Sequence, residues 1–218
     1  AVIAKKSKEE DEEQQKNSNN KMDSMYSQLM GQKSDDQIAL NTGCTACVCL
    51  IDTSKKEIYF ANAGDSRVVL CKKGIAYPMS IDHKPELDIE KNRIYKAGGW
   101  ISEGRVKGNL NLSRGLGDLE FKGNEKLPPE EQMITANPDI IVEKLDKDCD
   151  FIILGCDGIW DCLTNQEACD YVKQRVVTAP KLSAILEEML ESICATDIYN
   201  ETGVGCDNMT CLIVQFKK

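Results

Sequence analysis

From residue 41 onward the chain is punctuated by six short apolar or β-branched runs, none longer than nine residues. They are 44–51 (CTACVCLI), 57–62 (EIYFAN), 66–72 (SRVVLCK), 139–145 (DIIVEKL), 150–156 (DFIILGC) and 208–216 (NMTCLIVQF). Runs of this length, bounded by turn residues, are strands. Asp52-Thr-Ser-Lys-Lys56 and Asn62-Ala-Gly-Asp65 separate consecutive runs and suggest two hairpin turns. No run approaches the roughly 18–20 apolar residues that cross a bilayer.

Three helices fit between and after the strands. One spans 85–97, with a proline suited to a first turn and Gly98-Gly99 as its stop. One opens at Thr164, where Thr164-Asn-Gln-Glu167 has capping-box spacing, and runs toward Val176. One spans 181–195, where Leu182, Ile185, Leu186, Met189, Leu190 and Ile193 form a stripe that implies packing on a sheet. Strand pairs followed by helices predict an α+β fold with antiparallel sheets rather than a βαβ nucleotide-binding fold.

Residues 1–40 differ: they are rich in Lys, Glu, Asp, Gln, Asn and Ser, and are expected to form a disordered mixed-charge segment ahead of a globular domain at 41–218. The net charge is −9, from 27 basic and 36 acidic side chains, which gives no electrostatic footprint for nucleic acid or an anionic membrane. Eleven cysteines sit mostly inside apolar runs, as reduced buried thiols do, and the first residues lack a secretory-type apolar core. A cytoplasmic or nuclear protein without structural disulfides is therefore expected.

The informative chemistry lies at the strand ends. The run 151–156 ends in Asp157-Gly-Ile-Trp-Asp161, Asp207 stands just before the last strand, and Asp65 stands between two others. Carboxylates gathered at one edge of a sheet repel unless a cation compensates. An all-oxygen set suits Mg²⁺ or Mn²⁺ better than zinc.

Several segments then carry a resemblance: Thr42-Gly-Cys-Thr-Ala46, Ala63-Gly-Asp-Ser-Arg67, Asp82-His-Lys-Pro85, Arg93 with Ala97-Gly-Gly99, Asn111-Leu-Ser-Arg-Gly-Leu-Gly-Asp118, Asn137-Pro-Asp139, the run from Phe151 through Asp161, and Asp207-Asn-Met-Thr210. In this order and spacing the chain resembles the metal-dependent Ser/Thr protein phosphatases of the PPM class, also called type 2C or PP2C. The resemblance implies an αββα sandwich of two antiparallel sheets flanked by helices. It implies two Mg²⁺ or Mn²⁺ ions, with a weaker third, and direct attack of a metal-bridged water on phosphoserine or phosphothreonine of protein substrates, without a phosphoenzyme. By analogy Asp157 and Asp207 are ligands of the binuclear centre, and Asp161 and Asp65 match the weaker site.

The family's Asp-Gly-His-Gly motif and phosphate-binding Arg are absent from these residues, so no catalytic or phosphate-binding residue is assigned. The resemblance then implies that the fold's N-terminal strands are supplied by a missing N-terminal part or a partner chain. Their absence would leave sheet edges unpaired and the 218 residues alone poorly stable and inactive. The alternatives are a catalytically inactive PP2C-like scaffold and a simple acidic cation binder.

Other patterns read as structural. His83, the only histidine, is expected to make a local hydrogen bond. Cys169 and Arg175 have the spacing of cysteine phosphatases but lie within the helix opened by Thr164, whose N–H groups are already bonded. Cys44-Thr-Ala-Cys47 lies in a strand and lacks a second ligand pair. Arg67, Arg105 and Arg114 are expected in ion pairs, and Asp118 in a turn or ion pair. The three Asn-x-Ser/Thr triplets, at 111, 200 and 208, are read as chance matches.

Overall fold

A computed structural model describes residues 40–197 and 203–217. The expected disordered segment 1–40 lies outside the described residues except for Leu40. The strands are β1 (Gly43–Cys44), β2 (Ala46–Asp52), β3 (Glu57–Ala63), β4 (Arg67–Lys72), β5 (Ile75–Pro78), β6 (Ile101–Ser102), β7 (Arg105–Val106), β8 (Leu116–Gly117), β9 (Asp139–Lys144), β10 (Cys149–Gly155) and β11 (Cys211–Gln215). The helices are α1 (Asp88–Lys96), α2 (Asp157–Trp160), α3 (Asn165–Arg175) and α4 (Leu182–Ile193).

Two antiparallel sheets dominate, one in the order β11-β10-β4-β5 and the other β2-β3-β9. Strand periodicity decides what each face meets. Val68 and Leu70 of β4 and Ile152 of β10 point inward against Ile58 and Phe60 of β3, forming the core between the sheets. The alternate residues Val69, Cys71, Phe151 and Ile153 face the other way, against Ala168, Cys169 and Val172 of α3 and Ile185 and Met189 of α4. With both faces covered, β4 and β10 read as continuous apolar runs rather than alternating ones. Each large side chain so buried contributes about 1.5–3 kcal/mol of transfer free energy.

The α4 stripe packs on the sheet as its spacing implies. The Thr164 capping box is present: its hydroxyl accepts from Glu167 N–H at 3.2 Å, and Glu167 Oε2 accepts from Thr164 N–H at 2.8 Å. Among the described residues no helix lies on the outer face of β2-β3-β9, where Val48, Leu50, Ile140 and Val142 are exposed. No helix there is long and apolar enough to cross a membrane.

Two expectations change, and one strand, β5, is new. The Asn62–Asp65 segment is not a hairpin: β3 pairs with β2 and β9, whereas β4 pairs with β10 and β5, so the chain crosses from one sheet to the other. The crossing is tight, with Gly64 at φ 125° and a Cβ there only 2.4 Å from Thr45 Cγ2, so only glycine fits. Helix α1 begins at Asp88 rather than 85, because Leu87 is extended with ψ 135°. It does stop at Gly98, which has φ 87°. Strand β5 ends in Pro78, which an edge strand tolerates because its missing N–H leaves no ladder bond broken. A smaller core of Ile94, Ala97, Val106, Phe121, Met133 and Ile134 underlies α1 and the β6–β7 hairpin.

Candidate functional site

The four strand-end carboxylates fall at Asp65 in the β3–β4 crossing, Asp157 and Asp161 at either end of α2, and Asp207 ahead of β11. The α2 turn and the loop before β11 are bound together. Cys156 N–H donates to Thr210 O at 3.2 Å, and Thr210 N–H donates to Cys156 Sγ at 3.2 Å. Gly158 packs so closely on this loop that a Cβ would sit 2.3 Å from the Asn208 carbonyl oxygen. These contacts make Asp157 and Asp207 neighbours. Gly158 N–H orients the Asp157 carboxylate at 3.0 Å, and Asn208 N–H orients that of Asp207 at 2.6 Å.

Asp65 is buried, and its turn is pinned by His83. Gly64 N–H donates to His83 Nδ1 at 3.1 Å, and His83 N–H donates to Gly64 O at 3.0 Å. With Nδ1 accepting, Nε2 carries the proton and donates to Asp139 at 3.0 Å. The histidine is structural, as its sequence context implies.

Electrostatics tie the segments together. Burial pushes the Asp157 carboxyl upward, the negative charges of Asp65 and Asp207 push it further, and Lys84 opposes them. Lys84 Nζ forms an ion pair with Asp65 and is also within electrostatic reach of Asp157 and Asp161. Asp161 faces Arg67, whose guanidinium makes a two-point pair with Asp82 at 2.9 and 2.8 Å, bonds Asn165 Oδ1 and lies over the Trp160 ring. Among the described residues, no group of three or more His, Cys, Asp or Glu side chains is disposed to hold a metal ion. The donors gathered here are nonetheless carboxylate oxygens in mutual repulsion, a set that suits a hard divalent cation.

Arg114 is ion-paired as expected, to Glu90 at 2.6 Å and Asp139 at 2.7 Å. Arg105 departs from that expectation: it is exposed and donates to the Asn109 carbonyl. Asp118 is a turn residue with φ 49°. Cys169 is fully buried inside α3, and Arg175 stacks on Tyr171 and pairs with Glu188, so the cysteine-phosphatase spacing is accidental. Burial pushes the Cys47 thiol up to about 12, far from a reactive thiolate. Nothing in the sequence marks Lys84 or Asp82 beyond their place in Asp82-His-Lys-Pro85.

Over residues 2–201 the chain matches the family PP2C, described as "Protein phosphatase 2C". The chain belongs to the protein phosphatase 2C family. "Probable protein phosphatase 2C 21" of Arabidopsis thaliana is 48% identical over 200 residues, covering 92% of this chain and 55% of that protein. "Protein phosphatase 2C homolog 2" of Schizosaccharomyces pombe is 49% identical over 175 residues, covering 80% of this chain and 47% of that protein. This PP2C chain thus spans about half the length of the curated relatives it matches. The solved serine-threonine phosphatase 2C from Toxoplasma gondii superposes with a TM-score of 0.67, covering 93% of this chain and 65% of that one. At 21% identity that likeness is one of fold, and the α+β arrangement of antiparallel sheets and helices is that of PP2C.

Proposed function

We propose that this chain supplies Asp157, Asp207, Asp65 and Asp161 as ligands to a Mg²⁺ or Mn²⁺ centre that hydrolyses phosphoserine and phosphothreonine on proteins. One observation carries the reading: three separate segments bring Asp65, Asp157 and Asp207 close enough that the outer two raise the Asp157 carboxyl. A fold has no structural need to gather repelling carboxylates, and a divalent cation reverses the cost. When bound, such ions supply an activated water and offset charge on the phosphoryl oxygens.

The chain's own groups fit direct attack by water. His83 has both ring nitrogens engaged, to Gly64 and Asp139, so it is not a nucleophile. Cys169 is sealed within α3. The N–H groups of Gly158 and Asn208 hold the two carboxylates in fixed orientation, which lowers the reorganisation needed when a cation enters.

The test is phosphate release from a phosphothreonine peptide with Mn²⁺, by the protein with its N-terminal part supplied. Asp157→Asn replaces an anionic ligand by a neutral one of the same shape. It should lower kcat/KM by about two orders of magnitude or more, with the unfolding midpoint nearly unchanged. Equal rates in wild type and variant would remove Asp157 from the centre. The inactive-scaffold reading draws on the lack of a converged ligand triad among the described residues. It would gain if wild type bound Mn²⁺ without turning over the peptide.

A further inference from the structure

We infer that Lys84 is a built-in counter-ion of the carboxylate cluster, one that holds down the divalent-ion affinity of Asp65. The inference rests on the metal reading above and goes beyond it, because it concerns a residue that is not itself a ligand.

Lys84 Nζ is hydrogen-bonded to Asp65 Oδ2, and the Asp65 side chain is only 4% exposed. A lysine head group at a surface is ordinarily mobile and its ion pairs contribute little. This one is aimed. On its N-terminal side Asp82 is gripped at two points by the Arg67 guanidinium, and His83 is held through both ring nitrogens. Lys84 N–H donates to Asp82 O at 2.9 Å, and Lys84 O accepts from Leu87 N–H at 3.2 Å. The backbone that launches the side chain is therefore fixed relative to the Gly64–Asp65 turn, since His83 is bonded to both the N–H and the carbonyl of Gly64. The same ammonium is also within electrostatic reach of Asp157 and Asp161. One positive charge thus serves three carboxylates.

The physical consequence has a sign. A divalent ion that takes Asp65 as a ligand has to break the ammonium–carboxylate bond, and then sits beside a fixed positive charge. Both effects weaken binding. Across a few ångströms at a partly solvated site, the repulsion and the lost pair correspond to about a tenfold or greater reduction in affinity. In the absence of the ion the ammonium keeps a nearly buried carboxylate compensated, so the turn holds its shape. Asp65, hydrogen-bonded to the ammonium, is then the weak end of the carboxylate cluster, set by one side chain.

The experiment is calorimetric titration with Mn²⁺ of the protein with its N-terminal part supplied, with no turnover required. Lys84→Met keeps the aliphatic stem and removes the charge; it should tighten Mn²⁺ binding about tenfold or more. Lys84→Arg should behave like wild type. Asp65→Asn added to Lys84→Met should abolish the gain. If wild type binds Mn²⁺ and Lys84→Met binds equally or more weakly, the counter-ion inference is overturned while the metal reading stands. If none of the proteins binds Mn²⁺, both fall together. Lys84→Gln, neutral but polar, repeats the comparison if the methionine variant misfolds, as judged by circular dichroism.

Discussion

Replacing Glu90 by alanine should destabilise the chain by about 3–5 kcal/mol, the cost typical of removing one partner from a buried ion pair. Glu90 is fully buried on α1. Its carboxylate accepts from Arg114 at 3.0 and 2.6 Å and from the Ser113 hydroxyl at 2.7 Å, and it pairs with Arg93 at 2.6 Å. Alanine would leave two guanidinium groups with side chains only 12% and 7% exposed and their main anionic partner gone. For a chain of this size the cost corresponds to a fall in unfolding midpoint of roughly 6–20 °C. The assay is urea unfolding followed by tryptophan fluorescence, supported by a thermal melt. The effect also has a pH signature. Burial pushes the Glu90 carboxyl upward, but the hydrogen bonds from Arg114 and Ser113 and the charge of Arg93 outweigh it, and the net shift is downward. A carboxyl depressed on folding contributes stability that is fully present above its unfolded pKa, about 4.3, and is lost as pH falls through the folded value. The gap between wild type and variant should therefore be widest near neutrality and narrow below about pH 4.3. Replacing Glu90 and Arg114 together by leucine and methionine should recover part of the loss. A gap under about 1 kcal/mol, or one that stays constant down to pH 3, would refute the argument that this network is a desolvated charge cluster.

Two further substitutions test local claims. Thr164→Ala removes the α3 capping box and should cost about 1 kcal/mol in urea unfolding; no change would mean that solvent satisfies the helix end equally well. Gly158→Ala places a methyl group 2.3 Å from the Asn208 carbonyl oxygen, forcing the loop before β11 away from α2. It should cost about 1–3 kcal/mol and weaken Mn²⁺ binding at the same time, whereas an unchanged titration would separate the loop from the centre.

Much of the frame was legible because burial writes itself into strand composition. The runs at 57–62, 66–72 and 150–156 became β3, β4 and β10 within a residue or so at each end, since both faces or one face of each is covered. The α4 stripe and the Thr164 cap were equally direct. What was not legible is instructive. Asn62-Ala-Gly-Asp65 has the chemistry of a hairpin turn, and nothing local tells a turn that returns to the same sheet from one that leaves it. Helix α2 has four residues, too few for periodicity to register. Strand β5 hides behind its terminal proline, which only edge placement explains. At the site, the carboxylates announced themselves by standing at strand ends, whereas Lys84 did not. A lysine before a proline carries no local sign of the acid it will meet, because Asp65 lies nineteen positions earlier.

The passage of the chain between the two sheets has a mechanical corollary. The residues that change layers, Ala63 to Ser66, are the same ones that carry Asp65, and they have little slack. Any shear of one layer over the other is transmitted first to that carboxylate. On the proposed metal reading, Asp65 therefore acts as a gauge of how the layers are seated, and a partner that shifted their alignment would alter cation uptake without touching a carboxylate.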